Sequence, residues 1–473
     1  MRVALALFTD NLSHPDENFQ VFEQAHRLVF GYGLIPWEFR YSVRSWLTPG
    51  LTALFLYPFK WFGWDNPSIY IPAIRTILGV FSLWLVYSAY LLGRKIAGMK
   101  AGLVVAFFCA FWYEIAYFSI RPLSEVWATT FFVAALAISY RESGVLKFVT
   151  AAFLLALTAA LRIQYLPLVI LYFIFIIYGI EIRKAALATL ALVVTIAGAG
   201  ALDAVTLGEF YESYVNYIEI NQHFSFEGAT SPRFSSEFFL SLGRSSLYLH
   251  WVVLAAALWF LRRHWIIPLS VVIVILLHSF LPLKDHLVSI RFIYLAIPLL
   301  MVSAGAIAAD FWNEKGTVRR LKRLPTIAIA IFVLTSAGGF WGLLPGESEV
   351  YRQGILTKEP ALQAYRYLSQ APNVVGIFDM SQFWFQSGGY FHLHKNVPIY
   401  FDSNQPKSED YVSHVMTREP LPSNVGFRLV KNFGSYRLYE RNDRRFPYRR
   451  DLQYSPDMYQ PGIDDRLPLS LLF

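Results

Sequence analysis

The chain has 473 residues, 55% of them apolar, 17% aromatic and 16% charged, with a formal net charge of +8. Soluble globular chains carry about a quarter charged residues, so this composition excludes an ordinary soluble enzyme. The apolar residues gather in repeated runs of about 16–20, the length needed to cross a hydrocarbon layer roughly 30 Å thick. The positive charge does not point to nucleic acid, because the basic residues sit in short loops between apolar runs, where they set membrane orientation. A single cysteine, Cys109, leaves no disulfide framework and no thiolate metal site within the chain.

Residues 1–9 form a short apolar run without the small-residue cleavage pattern of a secretory peptide, and read as a short first span. SHPDENFQVFEQAHRLVFGYG then predicts a helix. Ser13 can cap it, Pro15 is tolerated in the first turn, and Asp16 takes the third helical position, as in a capping box. At helical spacing Asp16, Gln20, Glu23 and Arg27 share a polar face that should meet an aqueous cavity, with Phe19, Phe22, Ala25 and Val29 opposite. Gly31 and Gly33 end the helix. In PWEFRY, Glu38 and Arg40, together with Arg44, either hold the loop's shape through ion pairs to the Glu38 carboxylate or touch an acceptor substrate.

Residues 46–59 contain Pro49 and Gly50 and predict a re-entrant or surface-lying segment. Further apolar runs predict spans at 72–92, 101–119, 124–140, 148–161, 165–180, 185–201, 246–261, 265–281, 291–309 and 324–341. With the first, these make about 11 crossings. Every second connection is basic: Arg94, Lys95 and Lys100; Arg141 and Lys147; Arg183 and Lys184; Arg262 and Arg263; then Lys315, Arg319, Arg320, Lys322 and Arg323. The positive-inside rule puts these loops in the cytoplasm, so residues 10–71, 202–245 and 342–473 face outward. The chain thus divides into a transmembrane part, 1–341, and an extracytoplasmic tail, 342–473. TKEPALQAYRYLSQAP predicts an amphipathic helix, NVVGIFD a strand and GFRLVKNFGSYRLYERND a strand pair, together a small α+β domain. Residues 448–473, rich in Pro and Asp, read as an extended wrap.

Arg121 in IRPLSE and Arg291 in SIRF fall at outer ends of predicted crossings, with Lys284 and Asp285 near the latter. Arginine there can clamp a phosphate bidentately or simply snorkel to the interface. Arg162 and Gln164 are open to the same two readings. His278, His286, His392 and His394 come from separate segments without a carboxylate at ligand spacing, which argues against a zinc site. His392 and His394 alternate on what reads as a strand, sharing one face. No glycine-rich nucleotide cradle appears.

HPDENFQVFEQAHRLVFGYGLIPWEFRYSVRSWLTPG, residues 14–50, resembles the first-loop signature of glycosyltransferase family 22, the membrane mannosyltransferases of glycosylphosphatidylinositol-anchor and lipid-linked oligosaccharide synthesis. SIRPLSE at 119–125, HSFLPLKDHLVSIRF at 278–292 and GGYFHLHKNVPIYF at 388–401 are similar to later pieces of the same family. The resemblance implies an all-α polytopic GT-C fold, a polyprenyl-phosphate-linked mannose donor, inversion at the anomeric carbon, and neither metal nor other cofactor. The family's essential first-loop acid maps onto Asp16, which would act as general base on the acceptor hydroxyl, with Glu17 orienting it or gripping acceptor hydroxyls. Lys284, Arg291 and Arg121 would bind the donor phosphate. Glu23, Glu38, Arg40, Arg44, Asp285, His286, His392 and His394 would support the site or bind a glycolipid or glycan acceptor. Segment 217–239 retains Pro232 but lacks the tryptophan of the family's pattern. That departure and the short inner loops imply a bacterial relative in the plasma membrane, or an endoplasmic-reticulum protein if eukaryotic. A lipid flippase or transporter, an inactive assembly subunit, or transfer of another sugar such as a pentose would share the spans and buried charges.

Overall fold

A computed structural model describes residues 1–12, 14–228, 234–280, 290–313, 324–356, 358–381, 384–401, 412–422 and 425–442. The chain forms two compact units, one built from residues 1–6, 45–47 and 75–355, the other from 7–44, 48–74 and 356–473. The units interleave along the chain: most of the first loop groups with the tail rather than with the helices that follow it.

The first unit is helical throughout its described residues, and the runs predicted as spans are helices. Two helical stretches, Pro67–Ala97 and Ile182–Thr206, are long and apolar enough to cross a membrane, and a third is added if Glu237–Arg244 and Leu249–Phe260, bent by 103°, count as one. Seven more apolar helices among the described residues are shorter, at 10–17 residues. The expected span 101–119 is broken: Trp112 is extended, ending Met99–Phe111 and opening Tyr113–Phe118.

The first run is a seven-residue helix, Arg2–Phe8, too short to cross a bilayer at 1.5 Å per residue. Its buried Arg2 donates to Ser82 Oγ (2.7 Å), Ala110 O (2.9 Å) and Cys109 O (3.1 Å). The last carbonyls of a helix lack intrahelical N–H donors and carry its negative end, so a guanidinium satisfies both hydrogen bonding and charge at the end of Met99–Phe111. Nearby helices approach closely. A Cβ added to Gly305 would lie 2.5 Å from Val105 Cγ2 and 3.0 Å from its backbone nitrogen, the small-residue contact that lets apolar helices pack without a hydrophobic drive.

The second unit carries the sheet. Strands β1 (Ile377–Asp379), β2 (Ile399–Phe401), β3 (His414–Thr417), β4 (Phe427–Phe433) and β5 (Tyr436–Arg441) run in the order β2-β1-β3-β5-β4. The first three strands are parallel, while β5 pairs antiparallel with both β3 and β4, which gives the expected hairpin at the end. Helix Pro360–Gln370 buries Tyr365 and Leu368 in a core with Ile377, Leu438 and, from the first loop, Phe19 and Leu34. The segment 46–59 is a helix, Leu47–Trp61, burying Thr52 and Leu56 while Leu54, Tyr57 and Trp61 stay exposed. The expected wrap at 448–473 lies outside the described residues.

Gly305→Ala should force the helix Ala296–Asn313 away from Val105 and cost about 1–3 kcal/mol, the range for overpacking. Thermal unfolding of the full chain in detergent, beside an exposed Ala substitution as control, measures it.

Candidate active site

The first-loop helix departs from simple α periodicity. Residues Glu17–Phe22 form π-helical turns that lead into the α-helix Glu23–Phe30, closed by Gly31 at φ 89°. Such wide turns insert an extra residue, shift which side chains share a face, and recur at functional sites. Ser13, the expected cap, lies outside the described residues. Asp16 precedes the wide turns without a side-chain capping bond. Its Oδ1 is 3.2 Å from His14 Nδ1, and its side chain is 22% exposed.

Glu17 and Glu23 are fully buried, which corrects the expectation that Glu23 faces an aqueous cavity. The Glu23 carboxylate accepts three backbone N–H bonds, from Leu34 (2.7 Å) and Tyr390 (3.0 Å) on Oε1 and from Phe391 (2.8 Å) on Oε2. It therefore ties the first loop to the tail, and those oxygens are not offered to an acceptor. Gly389 makes the approach possible: its φ is +59°, and a Cβ there would lie 2.6 Å from Glu23 Oε2. Burial pushes the carboxyl up to about 7, outweighing the three backbone bonds that act to lower it.

Glu38, nearly buried, accepts a hydrogen bond from Gln20 Nε2 at 2.7 Å. Its carboxyl is also raised to about 7, by burial first and by the charge of Asp16 second, with Arg44 opposing. Asp16, Gln20, Glu38 and Arg44 thus act as one polar group. Arg40 donates from Nε to Ile35 O at 3.0 Å.

His392 and His394 do not alternate on a strand. They lie in and just beyond a short helix, Gly389–Leu393, started by the positive φ at Gly389, with His394 itself left-handed at φ 47°. His392 is buried. His394 Nδ1 is 3.0 Å from His26 Nε2, and its Nε2 is 3.6 Å from Asp65. His26 Nδ1 donates to Tyr32 O at 3.0 Å, so its Nε2 is left to accept from His394. Burial holds the His26 ring down to about 3, hence neutral. The same helix receives Asn18 Nδ2, which donates to Gly388 O at 3.1 Å, and Phe22, stacked on Phe391 with centroids 4.5 Å apart. Asn18 and His26 escaped the sequence reading, because neither carries a signal until the tail is folded against them.

In the first unit, Arg121 is buried with its guanidinium 4.2 Å from the centroid of Tyr117. Arg291, also buried, lies 4.6 Å from the centroid of Phe292. It sits in a short turn, Ile290–Ile293, whose first N–H donates to Glu347 Oε1 at 2.9 Å. Arg162 approaches the same Phe292 ring at 5.5 Å and pairs with buried Glu125 at 3.3 Å. Two guanidinium groups therefore gather around one aromatic ring, while Gln164 turns to donate to Tyr217. Lys284, Asp285 and His286 lie outside the described residues.

The described residues form a largely helical chain with a small mixed sheet, an architecture of the GT-C kind, with buried arginines and an acid-bearing first loop. The crystal structure of ArnT from Cupriavidus metallidurans bound to undecaprenyl phosphate shares this fold, with a TM-score of 0.59 at 14% identity, over 94% of this chain and 96% of that one. The chain belongs to the Alg9-like mannosyltransferase family, which matches residues 1–341. It is an integral membrane protein and a mannosyltransferase. GPI mannosyltransferase 3 of Yarrowia lipolytica is 26% identical over 421 residues, 86% of this chain and 76% of the relative. Mannosyltransferase APTG1 of Arabidopsis thaliana is 41% identical over 81 residues, 17% of this chain and 15% of that protein.

Glu23 has a raised carboxyl in the fold, so its contribution to stability is full below the unfolded value of 4.5 and is lost as pH rises through about 7. Glu23→Gln should flatten that limb in thermal unfolding of the full chain across the same window. Glu23→Ala leaves three buried N–H groups unsatisfied and should cost about 3 kcal/mol or more at any pH.

Proposed function

We propose that this mannosyltransferase moves mannose from a polyprenyl-phosphate carrier to a hydroxyl of a glycolipid or glycan at the outer membrane face, with Asp16 as general base. The observation that carries the assignment is the contrast among the carboxylates at the start of the first-loop helix and along it, Asp16, Glu17 and Glu23. Glu17 and Glu23 have no solvent access, whereas Asp16 keeps 22% of its side chain exposed. A base must reach the proton that it removes. The undecaprenyl phosphate held by a protein of the same fold supports the carrier, and the absence of a nucleotide cradle from the sequence fits a donor borne by lipid.

The acceptor oxygen attacks the anomeric carbon while Asp16 takes its proton, and the bond from that carbon to the carrier's phosphate oxygen breaks. The electron pair leaves on a phosphate that is already a good leaving group, so one base suffices and the configuration inverts, unlike the paired carboxylates of glycoside hydrolases. Arg291, Lys284 and Arg121 meet the phosphate charge. Glu17 and Glu38 position Asp16 and set its charge environment. The reaction asks for neither a metal nor a redox cofactor. The short inner loops and the altered 217–239 segment support a bacterial plasma membrane, with chemistry on the extracytoplasmic side.

Asp16→Asn should lower kcat by about 10²–10⁴ while leaving donor KM nearly unchanged, the signature of a lost base. Purified protein with a mannosyl-phosphoryl polyprenol and a glycolipid acceptor measures this, and an unchanged kcat removes Asp16 from the chemistry. In the same assay, kcat/KM should rise with pH through about 7 as Glu38 ionises beside Asp16. Glu38→Gln should erase that limb.

A further inference from the structure

His278 stands at the end of helix Ile266–Phe280 and is 2% exposed. Its Nδ1 lies 2.9 Å from Val274 O. A carbonyl only accepts, so Nδ1 carries the proton and Nε2 of the neutral ring presents a lone pair. That Nε2 is buried and has no hydrogen-bond partner among the described residues. Arg162 has a matching feature of opposite sense: its terminal nitrogen pairs with Glu125 at 3.3 Å, while its Nε, an N–H donor, is buried without a hydrogen-bond partner among the described residues.

Both groups lie about the Phe292 ring, the His278 ring at 6.5 Å between centroids and the Arg162 guanidinium at 5.5 Å. Arg291 borders the same ring at 4.6 Å. Arg162 and Glu125 are also the charged groups that act electrostatically on His278. Tyr165 and Phe238 close the imidazole in, with centroids at 6.2 and 5.7 Å.

A buried acceptor and a buried donor about one ring together select a ligand. Ionised phosphate oxygens only accept, so they would suit Arg162 Nε and oppose the lone pair of His278. An alcohol does both, giving its proton to His278 Nε2 and accepting from Arg162 Nε. Leaving either group unmatched in a buried setting is costly, which makes such a pair discriminate strongly against a ligand that lacks the hydroxyl.

We propose that His278 and Arg162 form a hydroxyl-reading subsite that recognises the sugar of the lipid-linked donor, distinct from the arginine contacts assigned to its phosphate. This rests on the donor reading given above. The test compares two probes on the full protein in nanodiscs, a polyprenyl phosphate and the same carrier bearing mannose. Wild type should bind the mannosylated carrier more tightly. His278→Phe, which keeps a ring of similar size but removes Nε2, should cut that preference about tenfold and leave affinity for the bare carrier unchanged. His278→Gln, which restores a polar acceptor, should recover part of it, and Arg162→Lys should act in the same direction as His278→Phe.

Equal losses for both probes across the three variants would make the cluster structural and overturn the proposal, and unchanged preference in all of them would do the same. Failure of wild type to bind either carrier would instead remove the donor reading itself.

Discussion

The second unit depends on one buried carboxylate. Glu23 gathers backbone N–H groups from Leu34, Tyr390 and Phe391, joining two parts of the chain separated by more than three hundred residues. Backbone donors cannot be supplied by substitution, so the contact fixes main-chain positions rather than side-chain preferences. It holds the Gly389–Leu393 helix in place, and that helix in turn receives Asn18, Phe22 and, through His394, His26. The wide turns at Glu17–Phe22 are thereby pinned at their far end, and Asp16 leads into them. An acid with solvent access is carried on a helix whose other acids have been turned inward and used as fasteners.

Much of this was legible in the sequence where periodicity is strong. The apolar runs became helices, TKEPALQAYRYLSQAP became Pro360–Gln370, and GFRLVKNFGSYRLYERND became the β4–β5 hairpin. Family membership was legible too, because HPDE, AHRLVFGYG and PWEFRYSVRSWL occur in order. The failures have a common origin in local backbone departures. Helical counting at 3.6 residues per turn cannot see a π turn, so it puts Glu23 on a watery face that the residue does not share. Alternating histidines look like a strand until the positive φ at Gly389 starts a helix there. The partners of Glu347 and Arg162 were invisible for a different reason: they lie across the fold, and sequence spacing carries no trace of them.

In the first unit, polar chemistry collects where helices break or end. Trp112 interrupts one run, Arg162 ends another with an extended backbone, and Ile290–Ile293 is a single tight turn bearing Arg291. A continuous apolar helix satisfies its own backbone and has little use for charge. A broken one exposes carbonyls and N–H groups that must be met inside the protein when no water is at hand. Arg2 meets carbonyls at the end of Met99–Phe111 and Glu347 meets the N–H that opens Ile290–Ile293, while Arg121, Arg162 and Arg291 place charge near aromatic rings.

Arg2 carries this logic into the history of the chain. Its three acceptors lie 80, 107 and 108 residues downstream. During synthesis the guanidinium emerges before Ser82, Cys109 or Ala110, so none of these three bonds can form until those residues follow. The helix Arg2–Phe8 can be seated only after the hundred residues that follow it have entered, so a segment made before them is locked after them.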